Sequence, residues 1–202
     1  MLALIMAGGA GRRLMAGEKP LLLVNNRPMV AWIVDAFLEA GCDPVVVTSP
    51  QTPMTSNWCR AQGITALSGS GRGYIEDMIE AALARDEQKP LFVSVADLPC
   101  IRPDSIRLIR RRYEDSGKDA CSVWVPASLT NAAAESMPYH ETVDGIDACP
   151  SGINILRGDL ITQPQDELRI LLRDYALAFN VNTGEDRDRA EDFFRLNGRD
   201  CN

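Results

Sequence analysis

A single histidine, His140, stands in a chain of 202 residues. Any Ser-His-Asp or Cys-His mechanism hangs on that one position. It falls in the proline- and acid-flanked stretch Met137-Pro138-Tyr139-His140-Glu141, which reads as a surface loop, so the expected chemistry is free of histidine. Cysteine is present but without a pattern: Cys42, Cys59, Cys100, Cys121, Cys149 and Cys201 are scattered and form no CxxC pair. That argues against a zinc ribbon or a disulfide framework. It predicts reduced thiols in a cytoplasmic protein, mostly small core residues. Long hydrophobic runs are missing too, since none approaches the roughly 18–20 apolar residues of a membrane helix. The apolar start Met1–Ala7 has no basic residue before it and Arg12-Arg13 soon after, the reverse of a signal peptide. Positive charge is short, with 21 Lys and Arg against 28 Asp and Glu and a net charge of −7. A protein that coats nucleic acid gains its affinity by neutralising phosphates, and this balance excludes that class. Small-molecule chemistry is the default.

What is present is an ordinary globular composition, 46% apolar and 24% charged, of a length expected for one domain spanning 1–202. Short β-rich runs alternate with helical periodicity. Strands are expected at 2–7, 45–47, 91–95, 120–125, 153–156 and 178–181. Helices are expected from Pro28 to a stop at Gly41, at 54–62, from Tyr74, at 104–113, at 166–173 and at 185–196, with 126–150 rich in loop. Repeated βα units with nearly continuous apolar strands imply an α/β fold, a Rossmann-like three-layer αβα sandwich with a mostly parallel central sheet. Ligands then bind at the carboxyl ends of the strands.

The first such end reads Ala7-Gly8-Gly9-Ala10-Gly11-Arg12-Arg13-Leu14, followed by Glu18-Lys19-Pro20. Glycines leaving a strand expose N–H groups without Cβ obstruction, as phosphate oxygens require. The P-loop is excluded because no Gly-Lys-Ser/Thr triplet occurs, and the dinucleotide fingerprint fails at Leu14. A plain strand-to-helix turn with a solvated arginine pair is the alternative. Lys19 weighs against it, since three cations beside a glycine loop in an acidic protein call for an anion. Residues 1–30 hold four cations against one acid, leaving the remaining chain at −10.

This segment resembles the signature of the MobA-like nucleotidyltransferase family, A-G-G-x-G-x-R and then a lysine step, here Gly8, Gly9, Gly11, Arg13 and Lys19-Pro20. The resemblance implies a nucleotidyltransferase fold in which the glycine loop wraps nucleotide phosphates, while Arg13 and Lys19 neutralise the triphosphate and the departing pyrophosphate. It also implies a metal-binding aspartate after a central strand, matched by Asp97-Leu98-Pro99, and an Asn-x-Asn-Thr element, matched by Asn180–Thr183. Asp97 and Asn182 are thus the expected Mg²⁺ ligands, with a helix cap or turn residue as the alternative for Asp97 and a helix cap for Asn182. Ser70, Gly71 and Gly73 before the helix at Tyr74 suit contacts to base and ribose, or a surface loop. Arg107, Arg110, Arg111 and Arg112 read as a solvated helical face near a helix end, too small and too poor in aromatics for nucleic acid.

Four further stretches, Thr48–Thr55, Ser70–Asp77, Pro150–Asn154 and Phe179–Thr183, look like the archaeal adenosylcobinamide-phosphate guanylyltransferase branch. That likeness implies GTP and a phosphorylated corrinoid as partners, Gly152 and Asn154 on the acceptor side, no nucleic acid or membrane partner, and room for a homodimer. Acceptors such as a molybdopterin or a sugar phosphate, and a catalytically silent nucleotide sensor, stand as alternatives.

Overall fold

The computed structural model describes residues 1–9, 17–130 and 139–197. In chain order the elements are β1 (Leu2–Met6), β2 (Leu23–Val24), β3 (Arg27–Pro28), α1 (Met29–Glu39), β4 (Asp43–Thr48), α2 (Pro53–Ala61), β5 (Ala66–Ser68) and α3 (Tyr74–Ala84). They continue with β6 (Pro90–Val95), α4 (Pro103–Ser116), β7 (Ala120–Pro126), β8 (Glu141–Val143), β9 (Ile146–Arg157), β10 (Glu167–Leu171) and α5 (Gly184–Leu196). The main sheet runs β10-β7-β9-β6-β1-β4-β5, with β8 paired to β9, while β2 and β3 form a separate small hairpin. Strands β5, β4, β1 and β6 are mutually parallel, as are β10 and β7, and among the described strands of this sheet β9 alone runs the other way, pairing antiparallel with β6, β7 and β8.

Strand alternation divides the core. Ala3 and Ile5 of β1 join Val30, Ile33, Val34 and Phe37 of α1 and Ile106 and Ile109 of α4 on one face. Leu2, Leu4 and Met6 meet Met78, Ala81 and Ala82 of α3 on the other. Side chains of successive strand residues point to opposite faces, so one apolar strand serves both helical layers. Helix α1 forms because its apolar residues recur at three- and four-residue spacing. It ends just before Gly41, whose φ of +76° suits glycine.

Three sequence expectations change. Residues 166–173 do not form a helix: Leu168, Ile170 and Leu172 alternate with Glu167 and Arg169, and β10 pairs in parallel with β7. No strand forms at 178–181; a 3-10 turn at Tyr175–Leu177 leads into an irregular segment that the Val181 N–H ties to the Asp97 carbonyl at 2.9 Å. Much of 126–150 is ordered as the β8–β9 hairpin, which turns at Asp144-Gly145 with φ of +51° and +77°. A two-residue turn of that handedness matches the twist of paired strands. Gly152 and Asn154 consequently lie inside β9 rather than at a strand start. Helix α4 also runs on to Ser116, which puts its arginines at mid-helix, where Arg107 pairs with Asp104 and Arg110 with Glu114.

Candidate active site

The end of β1 is pinned before it turns. The Ala7 N–H donates to the Val47 carbonyl at 2.7 Å, and the buried Ser49 hydroxyl donates to the Gly8 carbonyl at 2.7 Å. A Cβ on Gly8 would stand 3.1 Å from that of Ser49, so glycine allows the close approach. Gly11 and Arg13 lie outside the described residues.

The chain returns at Glu18, whose carboxylate accepts from the Met54 N–H at 2.7 Å and from both the N–H and hydroxyl of Thr55 at 2.6 Å. These are the first-turn donors of α2. The preceding Thr52 does not cap them, because its hydroxyl is engaged with Ser49. Glu18 therefore closes the helix from a distance and fixes where Lys19 begins its 3-10 turn.

Lys19 reaches two oxygens. Its Nζ donates to Asp97 Oδ2 and, at 2.8 Å, to Asn182 Oδ1. Asp97 follows β6, and its Oδ1 accepts from Asn180 Nδ2 at 3.0 Å. The cap of α5 is Thr183, which exchanges hydrogen bonds with Asp186. This leaves the Asn182 side chain facing the lysine. Asp97 lies in the turn that follows β6, as its alternative reading had it, but caps no helix, and Asn182 is not the α5 cap. The Lys19 and Asp97 side chains keep only 17% and 19% of their exposure, so their attraction is screened less than at an open surface.

These residues border a cavity of about 570 Å³ across the carboxyl ends of the parallel strands. Gly8, Gly9, Lys19, Asp97 and Asn182 line it together with Gly71, Gly73 and Asp77, the last reaching to within 3.4 Å of where a Cβ on Gly8 would stand. Tyr74 also lines it; desolvation of its phenol, with the nearby charge of Asp97, pushes its pKa up to about 12. Ser70 is not part of the lining. Its N–H donates to Glu80 Oε2 at 2.9 Å and its hydroxyl accepts from Arg72 Nε at 3.0 Å, bracing the loop from outside. Gly152 stands behind the wall, where a Cβ would lie 2.6 Å from Val95 Cγ2. Asn154 pairs within the sheet with Val93 and Ser122 and does not line the cavity. His140 is beside Cys149 and Asp147 and also lies off the cavity. Three contributors escaped the sequence reading: Glu18, Asn180 as a donor to Asp97, and Asp77. None has a local signal, because each acts through residues distant in sequence or through the loop it packs on.

Among the described residues no group of three or more His, Cys, Asp and Glu could hold a metal by itself. Asp97 and Asn182 nevertheless converge two hard oxygens on one cation, the Lys19 ammonium. That donor set fits Mg²⁺, which takes few protein oxygens when phosphate and water complete its octahedron.

The MobA-like NTP transferase domain model matches residues 3–148 of the chain. The chain belongs to the MobA-like NTP transferase family. Within this family of nucleotidyltransferases, it is 29% identical over 207 aligned residues to the adenosylcobinamide-phosphate guanylyltransferase of Methanocaldococcus jannaschii, covering 97% of this chain and 98% of that one. Among solved structures, the CMP:2-keto-3-deoxy-manno-octonic acid synthetase complexed with CTP aligns with a TM-score of 0.72 at 16% identity, covering 97% of this chain and 98% of that one. A hypothetical transferase from Thermus thermophilus aligns with a TM-score of 0.69 at 15% identity, covering 92% and 98%. Both likenesses are of fold, and they agree with the α/β sandwich of this MobA-like transferase. No helix among its described residues is long and apolar enough to cross a membrane.

Proposed function

We propose that this nucleotidyltransferase joins GMP from GTP to the phosphate of adenosylcobinamide phosphate and releases pyrophosphate. The reading is carried by the end-to-end similarity to the Methanocaldococcus jannaschii enzyme, which spans 97% of the chain, beyond the region shared with the wider family.

A phosphate oxygen of the acceptor attacks the α-phosphorus of GTP, the bond to the bridging α–β oxygen breaks, and that oxygen leaves with pyrophosphate. No covalent enzyme intermediate is needed, and positioning with charge neutralisation supplies the catalysis. The N–H groups of Gly8 and Gly9, together with Gly11, hold the phosphates. Lys19 and Arg13 neutralise charge on the leaving pyrophosphate. Gly71 and Gly73 border the nucleoside, and Ser70 holds their loop in place. Gly152 backs the acceptor side through Val95, and Asn154 stiffens β9 beside it. Asp97 and Asn182 would hold Mg²⁺, and the bound ion supplies further neutralisation of phosphate charge. Asn180 orients the Asp97 carboxylate toward that task.

Pyrophosphate release with each of GTP, ATP, CTP and UTP, against adenosylcobinamide phosphate, a molybdopterin and a sugar phosphate, tests the reading. Release confined to GTP with the corrinoid is expected. Turnover confined to another acceptor overturns it.

A further inference from the structure

Among the described residues that line the cavity, one acid is not used by phosphoryl transfer. Asp77, in the first turns of α3, retains 5% of its exposure. Its Oδ1 accepts from the Gly71 N–H at 2.8 Å and from the Ser70 hydroxyl at 3.4 Å. Among the described residues no donor reaches Oδ2, which lies 3.4 Å from where a Cβ on Gly8 would stand. The loop before α3 crowds this carboxylate closely, since a Cβ on Gly69 would come within 2.5 Å of Asp77 Cγ. A carboxylate that keeps so little of its exposure is costly unless donors meet its oxygens, and here the open side is the cavity that Asp77 lines.

The cavity lining thus carries groups of both signs. Lys19 supplies a cation, and Asp77 supplies an oxygen, Oδ2, that no donor among the described residues meets. Phosphate oxygens are attracted to Lys19, at Asp97 and Asn182, and repelled by Asp77, so a nucleotide enters with its phosphates at Lys19 and its base at Asp77 and Gly8, toward α3. We infer that Asp77 is the base-reading residue, its Oδ2 accepting from the N1–H and 2-amino edge of guanine. The proposal rests on the guanylyltransferase reading and deepens it. At that edge guanine presents two adjacent donors, whereas adenine presents an acceptor at N1 and xanthine a carbonyl at C2. A carboxylate oxygen therefore favours guanine and opposes the other two, because an unpaired or opposed acceptor costs more than a missing contact.

Asp77→Asn is the informative change. The remaining oxygen still receives the Gly71 N–H, and the new amide offers a donor to the cavity, complementary to the xanthine C2 carbonyl. Calorimetric titration of the full chain with GTP, ATP and XTP in Mg²⁺ is expected to show wild type preferring GTP. The variant should lose about 10–100-fold in GTP affinity and gain about tenfold or more for XTP. A merely structural role for Asp77 would weaken all three together and would not produce the XTP gain. Should the variant not fold, wild type decides alone: XTP at least about tenfold weaker than GTP supports the proposal, and equal affinity overturns it. The two readings fail separately. Wild type that prefers a nucleotide other than GTP overturns the guanylyltransferase reading. Wild type that prefers GTP, with an Asn variant that keeps that preference and gains nothing for XTP, overturns the role of Asp77 alone.

Discussion

Lys19 is the residue at which stability and chemistry separate most clearly. Its ammonium holds Asp97 and Asn182, but the pair opens onto the cavity, so water can replace it. Lys19→Ala should therefore cost about 1–2 kcal/mol of stability, somewhat more than an open surface ion pair because this one is largely buried, and less than a sealed one because water can enter. Turnover should fall by about 10²–10³, the usual scale for losing one group that stabilises developing charge. Steady-state rates beside urea midpoints check both halves, and a normal rate would remove Lys19 from the phosphate site. Gly152 presents the opposite case. Its φ of +83° disfavours any side chain, and an added Cβ would strike Val95 at 2.6 Å. Gly152→Ala should destabilise by about 2 kcal/mol or more, since backbone strain and overpacking act together. The displaced Val95 borders the cavity, so KM should rise as well. A urea midpoint unchanged from wild type would contradict the geometry.

At the scale of elements, the non-local cap on α2 couples a helix to the catalytic lysine. Glu18→Ala removes three hydrogen bonds from the helix start and frees the chain just before Lys19. A stability loss of about 1–2 kcal/mol is expected from the cap. Turnover should also drop, because Lys19 is no longer anchored, while Glu18→Gln should restore part of both. Urea unfolding and initial rates on the two variants test this coupling; wild-type rates in Glu18→Ala would show that the cap is structural only. The same cap illustrates what can be read from sequence. Strand β1, helix α1 and the position of Asp97 after β6 were legible because each rests on a local pattern: an apolar run, three- and four-residue spacing, a strand followed by Asp-Leu-Pro. Strand β10 was misread as a helix because eight residues with mixed charge satisfy both periods, and only pairing with β7 decides between them. The Asp144-Gly145 turn was a local signal overlooked within a loop-rich stretch. Asp77 resembled any acid on the polar side of an amphipathic helix. Its burial follows from the glycine loop folding over it, a tertiary fact with no sequence period.

For the whole molecule, the arrangement of charge and burial gives a pH dependence with a definite sign. The positive N-terminal segment is not all directed at one anion: Arg27 is spent on Asp35 at 2.5 Å and lies 4.8 Å over the Trp32 ring, while Lys19 faces the cavity. The five described cysteines are buried and form no disulfide with one another, as their scatter predicted. Burial raises the Cys59 thiol from its ordinary 9.0 to about 11 and Cys121 to about 12. Tyr74 rises likewise, from 10.0 to about 12. A raised folded pKa means that the unfolded chain releases its proton first as pH climbs. The unfolded state then binds fewer protons than the folded one, and stability must fall with pH. The contribution is complete below pH 9 and is lost as pH rises through 11 and 12. Each thiol accounts for roughly 2 kcal/mol by pH 11, at about 1.4 kcal/mol per pKa unit. Urea midpoints in the presence of reductant should thus be flat from pH 7 to about 9 and decline beyond it, to a degree that Cys59→Ala with Cys121→Ala reduces. A double variant whose alkaline decline is as steep as that of wild type would assign the loss to other groups. The native thiols should also resist alkylation at pH 8, since only thiolates react and these two remain protonated there.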